Sequence, residues 1–204
     1  MPSEFQFDLT GGQLALDLAN TVSRRTDPER RNDHLTSYLG LLGFARQTHT
    51  ISTRDAQQLQ GHAVQHPGDT RRVLCKVVAL REASYRVFSA IAQEKKPAAD
   101  DLQLIGECAR EALRHRELVP LNGGYGWQWR SDLKNPLDRL LWPMVQSAAD
   151  LLTSPELKIV RFCEAPDCEW LFLDHSRNRS RRWCDMKICG NRQKARRHYR
   201  RTLT

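Results

Sequence analysis

Arg161-Phe162-Cys163-Glu164-Ala165-Pro166-Asp167-Cys168 and Trp183-Cys184-Asp185-Met186-Lys187-Ile188-Cys189 are the two stretches that decide how this chain is built. Each carries two cysteines separated by four residues, and fifteen residues lie between the pairs. The other two cysteines, Cys75 and Cys108, stand alone in helix-like sequence, where a free cysteine behaves as a small apolar residue. Met1–Thr10 contains Glu4 and Asp8 and no apolar run, so an export signal is not expected and the cytoplasm is the expected compartment. In a reducing compartment paired thiols read as a metal site rather than as disulfides. Four thiolates from Cys163, Cys168, Cys184 and Cys189 complete a tetrahedron, which favours one structural zinc ion, with an iron centre as the competing assignment.

Around the cysteines the pattern is that of a small finger. Arg161-Phe162-Cys163 reads as a strand running into a knuckle, Glu169–Asp174 as a return strand, His175–Arg182 as a basic loop, and Gln193–Arg201 as a helix. Knuckle, hairpin and helix in that order give a treble-clef-like zinc finger. It is too small to fold on its own apolar core, and Trp170, Phe172, Trp183 and Tyr199 are its expected apolar cluster; metal binding supplies the missing stability.

Upstream, the pattern is mainly helical. A short strand is expected at Phe5–Leu9 and a helix over His34–Arg46, with Ser52 and Asp55 opening another. Over Thr70–Gln93, Val73, Val77, Leu80, Ser84, Val87 and Ile91 form one stripe, which predicts a central core helix. The next helix follows Pro97, with Leu102, Ile105, Ala109 and Ala112 inward. Asn122-Gly123-Gly124 between alternating apolar residues predicts a β-hairpin. Pro143 is expected to kink or split the helix that starts at Pro136. Thr153-Ser154-Pro155 is the expected boundary between a mainly α N-terminal domain, 1–155, with a short strand and a β-hairpin, and the finger, 156–204. No stretch is apolar enough to span a membrane.

Charge follows the same division. Of 32 basic and 24 acidic residues, 1–155 holds 19 and 18, whereas 156–204 holds 13 and 6. Beyond Ser176 the only acid is Asp185. Like charge so concentrated is relieved by a polyanion. Double-stranded DNA is the expected partner, contacted by Arg177, Arg179, Arg181, Arg182, Arg192, Lys194, Arg196, Arg197, Arg200 and Arg201. Two or three of the basic residues would serve instead to neutralise the metal–thiolate centre. Structured RNA, or an acidic protein surface met by a zinc adaptor, are the alternative partners. No nucleophile elbow, phosphate-binding loop or zinc-protease motif occurs in the sequence, and four cysteines leave no open metal position, so catalysis is not expected.

The run Trp183-Cys184-Asp185-Met186-Lys187-Ile188-Cys189-Gly190-Asn191-Arg192, with Cys163, Cys168, Trp170, Phe172, Asp174, Ser176 and Arg181-Arg182, resembles the signature of the CGNR zinc fingers. Leu14-Ala15-Leu16-Asp17-Leu18-Ala19-Asn20-Thr21-Val22 resembles the opening of the ABATE domain, which commonly precedes that finger in bacteria. The resemblance implies a stress-induced transcriptional regulator, expected to associate with the nucleoid, whose larger domain senses a small-molecule effector or forms a homodimer. Asp17, Asn20, Arg81, Trp127 and Trp129 are the candidate ligand-binding residues. Backbone hydrogen bonding for the first two, an Asp17–Arg81 pair, and core filling by the tryptophans are the competing structural readings.

Overall fold

A computed structural model describes residues 5–130 and 136–202, with the side chains of Arg197, Arg200, Arg201 and Thr202 outside the described set. The helices are α1 (Leu14–Ala19), α2 (Tyr38–Gln47), α3 (Thr53–Gln65), α4 (Pro67–Ala92), α5 (Ala99–Leu113), α6 (Leu141–Thr153) and α7 (Asn191–Thr202). Among the described residues three antiparallel two-stranded sheets join them: β1 (Val22–Ser23) with β2 (Asn32–Asp33), β3 (Arg116–Leu121) with β4 (Gly124–Trp129), and β5 (Val160–Phe162) with β6 (Leu171–Leu173).

The stripe on α4 organises the core. Val73, Val77, Leu80, Ser84 and Val87 are buried, with Ala83 and Phe88 beside them. Pro67 occupies the first turn of α4, where a missing N–H costs nothing. Helices α1, α5 and α6 pack on α4. Ser52 caps α3 by accepting from the Asp55 N–H and in turn donates to its carboxylate. The β3–β4 hairpin turns through Asn122-Gly123, with Gly123 at φ 89°, a left-handed conformation that favours glycine. Pro143 stands in the first turn of α6, and the segment splits just upstream, where a 3₁₀ turn, Pro136–Leu140, gives way to the helix.

Several sequence expectations are corrected. Phe5–Leu9 forms no strand; the short strands lie at β1 and β2 instead. Phe7 is nonetheless buried, its ring edge-on to Phe44, so alternation there reflects packing without a partner strand. The helix expected from His34 starts at Tyr38, because Ser37 caps it by accepting from the Gly40 N–H. Leu102 is 40% exposed; Asp101 turns inward instead, bound by the Arg86 guanidinium.

Strand β6 positions the finger. Side chains alternate across a strand, and here the two faces serve different cores. Leu171 and Leu173 join the helical core together with Val160, while Phe172 packs among the four cysteines. The Leu173 N–H also donates to the Gly11 carbonyl at 2.9 Å, tying β6 to the segment just before α1.

Candidate metal centre and nucleic-acid interface

Cys163 immediately follows β5, and Cys168 follows a turn closed by its own N–H on the Ala165 carbonyl at 3.1 Å. The second pair lies in a π-type turn, Met186–Gly190, and the residues just before it. Asp185 caps that turn, its carboxylate accepting from the Ile188 N–H. A bond from the Glu164 N–H to the Arg182 carbonyl at 3.0 Å joins the two halves. All four cysteines are buried, and their sulfurs lie within 4.8 Å of one another. Cys168 and Cys184 Sγ are 3.4 Å apart, and Cys184 and Cys189 Sγ 3.6 Å. A tetrahedral Zn–S₄ centre with bonds of about 2.3 Å requires S···S edges of about 3.8 Å. The cluster fits that shape, and its spacing is far too wide for disulfides.

The surrounding groups suit a dianionic thiolate centre. The Cys184 N–H points at Cys163 Sγ (3.4 Å), and the Arg192 guanidinium donates to Cys189 Sγ (3.3 Å). Donors of this kind stabilise and orient metal-bound sulfur. Gly190 is needed for close approach: a Cβ there would meet the Trp183 ring at 2.9 Å and collide with the Met186 sulfur. Each residue of Cys189-Gly190-Asn191-Arg192 thus has a physical task, since Asn191 opens α7. Trp170, Phe172 and Trp183 pack on the centre as expected, but Tyr199 does not; it is 66% exposed.

The basic residues divide into two groups. Arg181 is structural: its Nε donates to the Trp183 carbonyl, a terminal nitrogen donates to the Cys184 carbonyl, and its guanidinium lies over Phe172. Arg182 pairs with Glu164 and covers Trp183. Arg192 and Arg196 both pair with Asp167, at 3.3 and 3.1 Å. The face of α7 carrying these two residues is therefore turned to the knuckle. Arg177, Arg179, Lys187 and Lys194 are exposed and have no acidic partner among the described residues. For Arg197, Arg200 and Arg201 the side chains lie outside the described residues. Asp174 shapes the basic loop. Burial pushes its carboxyl up, but bonds from the Ser176 hydroxyl and the Ser176 and Arg181 N–H groups outweigh this and hold it below its usual range.

The candidate ligand residues do not converge. Asp17 accepts from the Gly11 N–H at 2.8 Å, and Asn20 bonds the backbone of Leu171. Arg81 is fully buried, but its partner is Asp33, met by two bonds of 2.6 and 2.7 Å, with Glu82 beside it, and not Asp17. Asp33 sits on β2, where its separation in sequence hides the pairing. Trp129 packs near Trp142 in the main core, whereas Trp127 is 61% exposed; Arg116 lies over both Trp127 and Trp129.

Residues 12–155 match the ABATE family, described as “Putative stress-induced transcription regulator”. The chain belongs to the ABATE family. Residues 160–202 match the CGNR zinc finger, with the cysteine cluster inside the matched span. No curated protein matches the chain. An ABATE-family chain with this finger is thus a zinc-binding member of a regulator family, and among its described residues no helix is long and apolar enough to cross a membrane.

Proposed function

We propose that the protein is a zinc-dependent DNA-binding transcriptional regulator of the cytoplasm, associated with the nucleoid. In this reading 1–155 senses an effector or dimerises, and 156–204 contacts duplex DNA. The observation that carries the reading is the state of Arg177, Arg179, Lys187 and Lys194. They project from a finger held by four buried cysteines, and no described acid neutralises them. Arg and Lys so placed meet phosphates, with Arg also able to fork onto guanine edges. Arg181 and Arg182 hold the loop, and Arg192 and Arg196 hold α7, in the geometry that presents the free cations. Arg197, Arg200 and Arg201 stand in the last turns of α7 and extend the same basic composition.

Fluorescence anisotropy with a labelled genomic fragment recovered by the tagged protein tests this. Reversing Arg177, Arg179, Lys187 and Lys194 to glutamate should abolish binding while the zinc content stays at one ion per chain. The salt slope should fall by about one for each phosphate contact removed. Preference for a structured RNA over the duplex would overturn the DNA assignment.

A further inference from the structure

A cleft of about 560 Å³ lies between the 23–34 segment and the metal knuckle. Its volume falls in the range of small-molecule sites. Trp170 and Ile188 supply apolar wall, and the indole is fixed because its Nε1 donates to the Val22 carbonyl at 3.1 Å. His34 also lines the cleft, stacked on Phe5 with ring centroids 4.6 Å apart. Arg24, Arg30, Arg31 and Arg192 also line the cleft.

These guanidinium groups are not equivalent. Arg30 has Asp27 at 3.9 Å, Arg31 has Glu82 at 4.0 Å, and Arg192 has Asp167. Arg24 is half-buried and has no acidic partner among the described residues. It also holds φ 53°, a left-handed conformation that costs a non-glycine residue. Arg192 also donates to Cys189 Sγ at 3.3 Å. The acids Asp8, Glu29 and Asp167 and the metal-site residues Cys168 and Cys189 share the walls, so the cleft does not attract anions indiscriminately. It combines a rigid aromatic surface with one cation, Arg24, that no described acid neutralises, beside Arg192, which Asp167 and Cys189 share.

We infer that this cleft binds a small molecule made of a planar ring bearing one anionic group, with the ring against Trp170 and Ile188 and the anion on Arg24, within reach of Arg192. Such a ligand touches the helical part through Arg24 and His34 and the finger through Trp170, Ile188 and Arg192. It is placed to bias how α7 sits, because it competes with Asp167 for Arg192. Its role as effector rests on the regulator reading above; its binding does not.

Titration calorimetry on the zinc-loaded full chain, with AMP and with salicylate as probes, tests the site. At least one probe should bind saturably at one per chain. Inorganic phosphate and adenosine, the two halves of AMP, should each bind more weakly than AMP by at least about tenfold. Arg24→Gly should weaken the probe by at least about tenfold. The variant should melt at or above the wild-type temperature, since the guanidinium has no partner and glycine relaxes the left-handed backbone. Failure of both probes to saturate at millimolar concentration, or equal affinity in Arg24→Gly, overturns the inference. Loss of oligonucleotide binding in Arg24→Gly with both probes silent would make the loop a phosphate contact and likewise overturn it. Failed titration beside intact DNA binding removes the cleft alone; saturable titration with no DNA binding removes the regulator reading alone.

Discussion

Asn20 and Leu171, 151 residues apart, are joined by two buried hydrogen bonds: the Asn20 amide nitrogen donates to the Leu171 carbonyl at 2.8 Å, and the Leu171 N–H donates to the Asn20 carboxamide oxygen at 2.9 Å. The side chain at the end of α1 acts as an extra strand residue beside β6. Asn20→Ala leaves a buried donor and a buried acceptor unpaired, at about 1–3 kcal/mol each. Urea denaturation should show a loss of about 2–6 kcal/mol, with zinc stoichiometry unchanged under native conditions. A loss below about 0.5 kcal/mol would mean that water replaces the side chain without penalty.

Removal of zinc should be felt well beyond the finger. Phe172 packs on the cysteines while its neighbours Leu171 and Leu173 lie in the helical core, so loss of the metal withdraws support from one face of a strand whose other face is part of that core. Chelation, or Cys184→Ser, is expected to lower the melting temperature of the whole chain in one cooperative step. An unshifted main transition, with only the tail exchanging its amides, would show that 1–155 holds β6 unaided.

Arg81 is a guanidinium with no exposed surface, pinned by Asp33 and Glu82. Arg81→Met strands the Asp33 carboxylate, and stability should fall by about 3–5 kcal/mol. The double variant Arg81→Met/Asp33→Asn should recover part of that loss. A double-mutant cycle with no coupling would contradict the pairing.

Asp17 gives a pH dependence of defined sign. Burial raises its carboxyl to about 6, with the bond from the Gly11 N–H acting in the opposite direction. Because the folded-state value lies above the unfolded one, the native chain binds more protons between about pH 4 and 6. Its contribution to stability is greatest at low pH and is lost as pH rises through 6. Asp17→Asn keeps the acceptor for Gly11 and removes the charge. The variant should be more stable at pH 7.5, by at most about 3 kcal/mol, and should lose this component of the pH profile. A destabilised variant at pH 7.5 would contradict the assignment.

Local patterns were legible in the sequence, and long-range pairings were not. The stripe on α4, the Ser52 cap, the Asn122-Gly123 turn and the cysteine spacing each arise within a few residues, where period and turn chemistry act directly. Phe5–Leu9 misled because alternation also arises when one ring is buried and the rest is solvated. Tyr199 misled because its spacing says nothing of how α7 is rotated, and Asp167 sets that rotation by holding Arg192 and Arg196. The segment Arg24-Arg25 to Arg30-Arg31 carries no signal in the sequence, since Asp27 and Glu29 dilute its charge and only the fold brings it beside the knuckle.

The most direct test of the central claim is the duplex-DNA affinity of the zinc-loaded chain against that of the chain stripped by chelation, across a salt series, with zinc quantified in each sample. The account predicts one zinc per chain, tight binding with a steep inverse dependence on salt, and loss of that binding on stripping that returns when zinc is restored. Equal affinity with and without stoichiometric zinc, or a zinc-loaded chain that leaves the duplex unbound at low salt, would contradict it.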